Sequence, residues 1–231
     1  VNEKDRRDRR ILVLLKKAYP RPKVALDHRT PLEILVATIL SAQCTDARVN
    51  TVTRGLFRVY RTLKDYARAD VRKFEAAIRS TGFYRNKAKN IIAAAGKIIA
   101  DFGGRVPATM PELLTLPGVA RKTANCVLYG AFGRNEGIAV DTHVLRVSRR
   151  LGLTRHDDPV KVERDLMQLC VRGEWGRWSL RLIRHGRRVC TARAPQCGTC
   201  GVKRLCPSSL VGRVPGRDHN LSAGVSRRKG S

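Results

Sequence analysis

A chain of 231 residues with 42% hydrophobic content can bury a core of its own, as one larger domain or two modest ones, and no run of about 18 apolar residues predicts a membrane span. With 47 Lys and Arg against 19 Asp and Glu the formal net charge is +28, a field that favours a polyanion and puts nucleic acid first, because neutralised phosphates release counterions. Part of the Arg excess can simply solvate the surface, and a membrane surface ranks third, since an interfacial anchor wants bulky aromatics and these make up only 5% of the chain.

Helical periodicity runs nearly throughout and alternating strand patterns are almost absent, which predicts an all-α fold. Ile11, Leu14, Leu15 and Ala18 recur at helical spacing and stop at Pro20. Thr30 to Glu33 reads as a capping box with Pro31 at the first helical position, followed by Leu32, Leu35, Val36 and Ile39. Thr45 or Asp46 caps a third helix carrying Val49, Val52 and Leu56, and Asp70 caps a fourth through Phe74 and Ile78 that ends near Gly82. Ile91, Ile92, Ala95, Ile98 and Ile99 build a fifth before Gly103 and Gly104. Thr109 to Glu112 repeats the capping-box signature and opens a short helix that breaks at Pro117-Gly118. Ala124, Val127, Leu128 and Ala131 resume the period at once, so the segment is a helix-hairpin-helix. After a looser stretch from Asn135 to Gly137, Asp141 caps a helix with Val144, Val147 and Leu151 on one face and Arg149 and Arg150 near its end. Trp175, Trp178 and Leu182, with His185, lead into a cluster of cysteines, the tryptophans reading as core before base-stacking groups. Beyond Pro207, Gly, Ser, Arg and Lys without periodicity predict a disordered basic tail.

Three places could carry chemistry. The turn Leu116-Pro117-Gly118-Val119-Ala120 suits a phosphate clasp. Proline fixes one dihedral, glycine permits the tight turn, and the next helix offers unpaired backbone N–H groups at its positive end. Lys122 lies in the first turn of that helix, where the dipole and neighbouring basic groups disfavour the ammonium form, one way a lysine becomes a nucleophile; on local sequence alone, a phosphate contact by Arg121 and Lys122 is the plainer reading. Asp141 is by itself an N-cap, yet a carboxylate beside a lysine could accept its proton or stabilise a cation developing on a sugar. The third place is Cys190, Cys197, Cys200 and Cys206, spaced C-x6-C-x2-C-x5-C within seventeen residues. Only Cys197 and Cys200 form the short hook usual in zinc sites, so the unequal loops favour an iron–sulfur cluster, although thiolate quartets accept either metal. Disulfides are disfavoured by an odd count of seven cysteines and by a chain that opens without an apolar signal segment.

The cysteine spacing, the stretch L-P-G-V-A-R-K-T-A-N around Lys122, V-D-T-H at Val140 to His143 and L-S-A-Q at Leu40 to Gln43 together resemble the endonuclease III family, in order from about Ile11 to Pro207. The resemblance implies two helical domains flanking a DNA-binding cleft: a six-helix domain over 24–135 bearing the hairpin, and a second domain of 1–23 with 136–207 holding a [4Fe-4S] cluster on the four cysteines, ahead of the tail at 208–231. It implies excision of oxidised pyrimidines from duplex DNA. Lys122 would attack the sugar and form a Schiff base that drives β-elimination at the abasic site, with Asp141 assisting. Gln43 would plug the hole left by the extruded nucleotide, and Phe83 would wedge into the opposite strand. His143 would sit near the site. The hairpin residues Leu116, Pro117, Gly118, Val119, Ala120 and Arg121 would hold phosphates, as would Arg187, Arg188 and Arg193. The implied setting is a monomer in a bacterial cytoplasm, associated with the nucleoid and not with a membrane.

Departures from the family pattern are Ala120, where a second glycine is usual, Cys44 beside Gln43, and a slightly longer loop over 133–137. Cys44 is given no role, and Cys126 and Cys170 read as ordinary buried cysteines. An adenine-mismatch glycosylase would normally lack the lysine and carry a further C-terminal domain, and a thymine-mismatch relative commonly replaces the lysine. A non-catalytic iron–sulfur DNA-binding protein would explain charge, hairpin and cysteines without needing Lys122 and Asp141 together.

Overall fold

The computed structural model describes residues 2–211, and among these every regular element is helical. Helix α1 (Glu3–Ala18) starts a full two turns before the apolar period that announced it, because Asn2 caps it and Asp8 is buried between Lys4 and Arg7. Arg7 also donates to the carbonyl of Gly152, tying α1 to a loop 145 residues further along the chain. Helices α2 (Pro31–Leu40), α3 (Asp46–Val59) and α5 (Val71–Ile78) begin at Thr30, Thr45 and Asp70, whose side-chain oxygens each accept the backbone N–H three residues on. Between the last two lies α4 (Leu63–Ala67), five residues opened by a reciprocal capping box of Thr62 and Asp65. A 3-10 turn at Arg79–Thr81 and the sequence Gly82-Phe83 lead into α6 (Tyr84–Asp101).

The hairpin joins α7 (Met110–Leu114) to α8 (Arg121–Phe132). The box expected at Thr109 does not form: its hydroxyl donates to the Glu112 carboxylate at 2.6 Å instead of accepting a backbone N–H. Helix α9 (Thr142–Arg150) follows, then α10 (Pro159–Leu169), capped by Asp158. Helix α11 (Trp175–Arg188) runs into the cysteine loop, which holds a 3-10 turn at Cys197–Thr199.

Two hydrophobic cores organise these helices. The first gathers Ile34, Leu35 and Leu40 of α2 with Phe74, Ile91, Ile98, Leu113 and Val127, and its buried members run from Leu26 to Leu128. The second joins Ile11 and Leu15 of α1 to Ile138, Val144, Val147, Val162, Trp178, Leu182 and Val202. Trp178 is core, 4% exposed, with the buried Arg181 guanidinium 4.7 Å from its ring centre; Trp175 is half-buried and its indole N–H donates to the Cys170 carbonyl. The cores meet where α8 packs on α11. There Gly176 lies flat against the Tyr129 ring, and a Cβ at that position would enter the ring. No helix among the described residues is long and apolar enough to cross a membrane. The first residues of the tail expected from 208 are placed: Ser209 is buried and its N–H bonds the Cys206 carbonyl, and Leu210 lines the cavity of the cysteine loop. The rest of that expectation, 212–231, lies outside the described residues.

Candidate active site

The hairpin is held from inside and open outside. Leu116 and Val119 are buried, the Val119 N–H closes the turn on the Leu116 carbonyl at 3.1 Å, and Gly118 takes φ +78°. A Cβ at Gly118 would also stand 2.9 Å from Asn90 Cβ, so this glycine is required twice, by conformation and by space. Ala120 is the N-cap of α8 with φ −94° and ψ 172°, ordinary extended backbone in which alanine is unstrained. No side chain caps α8, so the first N–H groups of the helix remain available to an anion. Arg121, expected on phosphate, instead grips Glu163 of α10 through Nε at 2.6 Å and Nη2 at 3.2 Å. Glu163 is 5% exposed and also accepts from the Asn125 amide at 2.9 Å. This knot fixes the start of α8 against the second core, and Gly137 passes so close that any Cβ would collide with Glu163 and Asn125.

That anchoring presents Lys122 to a cleft of about 820 Å³ between the two cores, lined also by Gln43, Cys44, Asp46, Asp141, His143 and Arg187. Sequence-distant residues thus line one cleft. Lys122 is exposed, and no hydrogen bond or ion pair engages its Nζ among the described residues. Asp141 is the N-cap of α9: Oδ1 accepts from the Val144 N–H at 2.8 Å, and no hydrogen bond among the described residues engages Oδ2. The cap therefore orients the carboxylate and leaves an oxygen for chemistry.

His143 sits one residue into α9, and Arg146 Nη2 lies 3.2 Å from its Nδ1. A guanidinium can only donate, so Nδ1 accepts and the neutral ring carries its hydrogen on Nε2. Burial pushes the His143 pKa down; Asp141 opposes the shift and Arg146 and Arg187 add to it. Arg187, from the end of α11, reaches across the cleft to Asp46 at 2.6 Å.

Gln43 and Phe83 share a backbone feature that sequence could not announce. Among the described residues they are the non-glycine residues with positive φ, +52° and +46°, a left-handed conformation that costs a side chain roughly 1–2 kcal/mol. Both are exposed, Phe83 to 67%. A large aromatic held out in solvent on a strained backbone does no packing work there. Phe83 lies outside the cleft lining, on the turn before α6.

The four cysteines line a second cavity of about 260 Å³ together with Arg150, His185 and Arg193. None of the seven cysteines forms a disulfide. Burial pushes the Cys200 and Cys206 thiols up, and charge on the neighbouring cysteines adds to it, while backbone N–H groups of Val202 and Ser208 work in the opposite direction. Arg150 also faces the sulfur of Cys190 at 3.6 Å. Such a setting fits thiolates neutralised by metal. Among the described residues no group of three or more His, Cys, Asp or Glu side chains is arranged to hold a metal ion, and the four cysteines share the lining of this one cavity. Arg193 is exposed beside this cavity and away from the cleft. Cys170 is buried with its thiol pushed up to about 12, and burial also raises Cys126.

Sequence reasoning passed over Glu163 and saw Asp46 only as a cap. A signal existed for the first: Glu163 sits between Val162 and Leu166 on the buried face of α10, where an acid needs a partner.

Residues 36–172 match the HhH-GPD superfamily base excision DNA repair protein model. Over 206 residues the chain is 55% identical to Endonuclease III of Synechocystis sp., spanning 89% of this chain and 94% of that one. It is 46% identical to the protein in a solved non-covalent endonuclease III–DNA complex, with TM-score 0.85 and coverage of 89% and 96%. A trapped endonuclease III–DNA covalent intermediate is likewise 46% identical, with TM-score 0.83 and coverage of 87% and 96%. The chain belongs to the endonuclease III family of the HhH-GPD superfamily of base excision DNA repair proteins.

Proposed function

We propose that this chain removes oxidised pyrimidines from duplex DNA and cleaves the resulting abasic strand, using Lys122 as nucleophile and Asp141 as its base. The observation that carries the reading is the cleft lined by both an unpaired Lys122 and a half-engaged Asp141, which are carried by helices of different cores. The lesion nucleotide is extruded into this cleft at a cost of a few kcal/mol, lowest for a damaged base. Lys122 Nζ attacks C1′, the C1′–N bond breaks, and the electron pair leaves with the base, which takes up a proton. Asp141 accepts the proton lost by the amine and faces the positive charge that develops on the sugar. The nitrogen lone pair then forms the C1′=N bond as the C1′–O4′ bond breaks, and O4′ takes up a proton to leave a ring-opened iminium. Removal of a C2′ proton forms the C2′–C3′ double bond and expels the 3′ phosphate, and water hydrolyses the imine to free Lys122. Neutral His143 borders this chemistry without adding charge. Backbone N–H groups at the start of α8 would hold phosphate while Arg187 exchanges Asp46 for the DNA backbone. Arg193 would hold phosphate farther along.

The two cores support a division into 24–135 and 1–23 with 136–207. Cys190, Cys197, Cys200 and Cys206 would hold a [4Fe-4S] cluster that supplies structure to the loop carrying Arg193 and takes no part in base removal. The purified protein should show broad visible absorption and about four irons per chain. Zinc in place of iron would overturn the assignment.

The activity itself is tested on a duplex bearing a single thymine glycol. Free base and a strand ended by β-elimination should appear together. Base release with an intact strand, or removal of a normal adenine from a mismatch instead, would contradict the reading.

A further inference from the structure

We propose that Lys87 is the positioning residue that locks Gln43 and Phe83 together as one preassembled unit for insertion into opened duplex DNA, an inference that rests on the insertion roles of those two residues. Lys87 lies in the first turn of α6 and is 4% exposed. Its Nζ donates to the carbonyl of Leu40 at 2.7 Å and to that of Thr81 at 2.8 Å. Leu40 is the last residue of α2, three before Gln43, and Thr81 ends the 3-10 turn, two before Phe83. The backbone N–H of Lys87 also donates to the Phe83 carbonyl at 3.1 Å. One residue therefore grips the root of each insertion loop.

The chemistry of the contact argues for a purpose beyond packing. Among the described residues no carboxylate pairs with this ammonium, and burial pushes its pKa down, with Cys44 alone opposing. An apolar side chain would fill the same space without desolvating a charge. What it could not do is satisfy two carbonyls on different elements at once. The two exposed left-handed residues need their loops held from below, since strained backbone persists only where its surroundings over-determine it. A plug on one strand and a wedge on the other must also keep a fixed spacing to enter one opened stack. A single cation bridging both roots sets that spacing.

The test uses Lys87→Met in the full chain. Insertion is read by 2-aminopurine fluorescence opposite a tetrahydrofuran abasic analogue in duplex DNA. Chemistry without extrusion is read by borohydride trapping on a single-stranded abasic oligonucleotide. Lys87→Met should slow the fluorescence rise by about 10- to 100-fold, up to the scale of a 1 Å misplacement, and leave single-strand trapping within about twofold of the unsubstituted protein. Lys87→Arg, which keeps charge and donors, should recover part of the insertion rate, and it is read by the same two assays if the Met variant does not fold. Equal loss in both assays, or an unchanged fluorescence rise, overturns the proposal. Gln43→Ala and Phe83→Ala are measured alongside. If both slow insertion and the Lys87 variants do not, only the Lys87 role falls; if neither does, the insertion reading fails and takes this proposal with it.

Discussion

Lys122→Ala should form no covalent complex with an abasic duplex under borohydride and should lose strand cleavage by about 10⁴-fold or more, the scale seen when a nucleophile is deleted from a working set. Binding should survive. The net charge falls only from +28 to +27, the hairpin N–H groups and Arg187 at the cleft are untouched, and phosphate contacts supply most of the affinity for DNA. Folding should survive as well, because Lys122 is exposed and among the described residues no ion pair or hydrogen bond depends on it. A variant that binds the lesion duplex normally and still cleaves it would remove Lys122 from the chemistry. Electrophoretic shift and trapping on the same sample separate the two outcomes.

Asp141→Asn should lower the rate of base release by about 10²- to 10⁴-fold, the range for loss of a general base. Its stability should stay within about 0.5 kcal/mol of the parent, because asparagine caps a helix as well as aspartate does. The amide oxygen can still accept the Val144 N–H, which Oδ1 now holds at 2.8 Å. Asp141→Ala should show the same rate loss and in addition a destabilisation of about 1 kcal/mol from the lost cap. Thermal unfolding and single-turnover kinetics on the three proteins pull apart the two duties of one carboxylate. Equal stability loss in the Asn and Ala variants, or base release by Asp141→Asn at the parent rate, would leave Asp141 as a cap and nothing more.

The legible parts of the chain were those governed by local rules. Thr30, Thr45, Asp70 and Asp141 cap the helices their positions promised, because the oxygen and the N–H it serves lie three residues apart whatever the rest of the fold does. The Pro117-Gly118 break appears where a tight turn was needed. Short or unperiodic helices were harder. Helix α4 is five residues, too short for a hydrophobic period, although its Thr62–Asp65 box stands in the sequence. Helix α1 extends back through charged residues that gave no apolar signal, since Asp8 is buried by ion pairs and not by apolar contact.

Long-range partnerships were least legible. The Arg121–Glu163 grip joins residues 42 apart, so Arg121 read naturally as a phosphate contact until its acid was in view. The left-handed backbone of Phe83 follows from the turn around it, held by Gly82 and Lys87, and nothing in the aromatic itself announces it. Lys122 and Asp141 were each ambiguous alone, a phosphate lysine and a helix cap. The cleft that both line is tertiary information, and it is what makes two ordinary residues candidates for one site.

The most direct measurement is the site of covalent attachment. The protein is incubated with a thymine glycol duplex in the presence of borohydride, digested, and the DNA-bearing peptide is sequenced by mass spectrometry. The reduced sugar should be found on Lys122 Nζ. Attachment at any other amine, or base release with no adduct at all, would contradict the account.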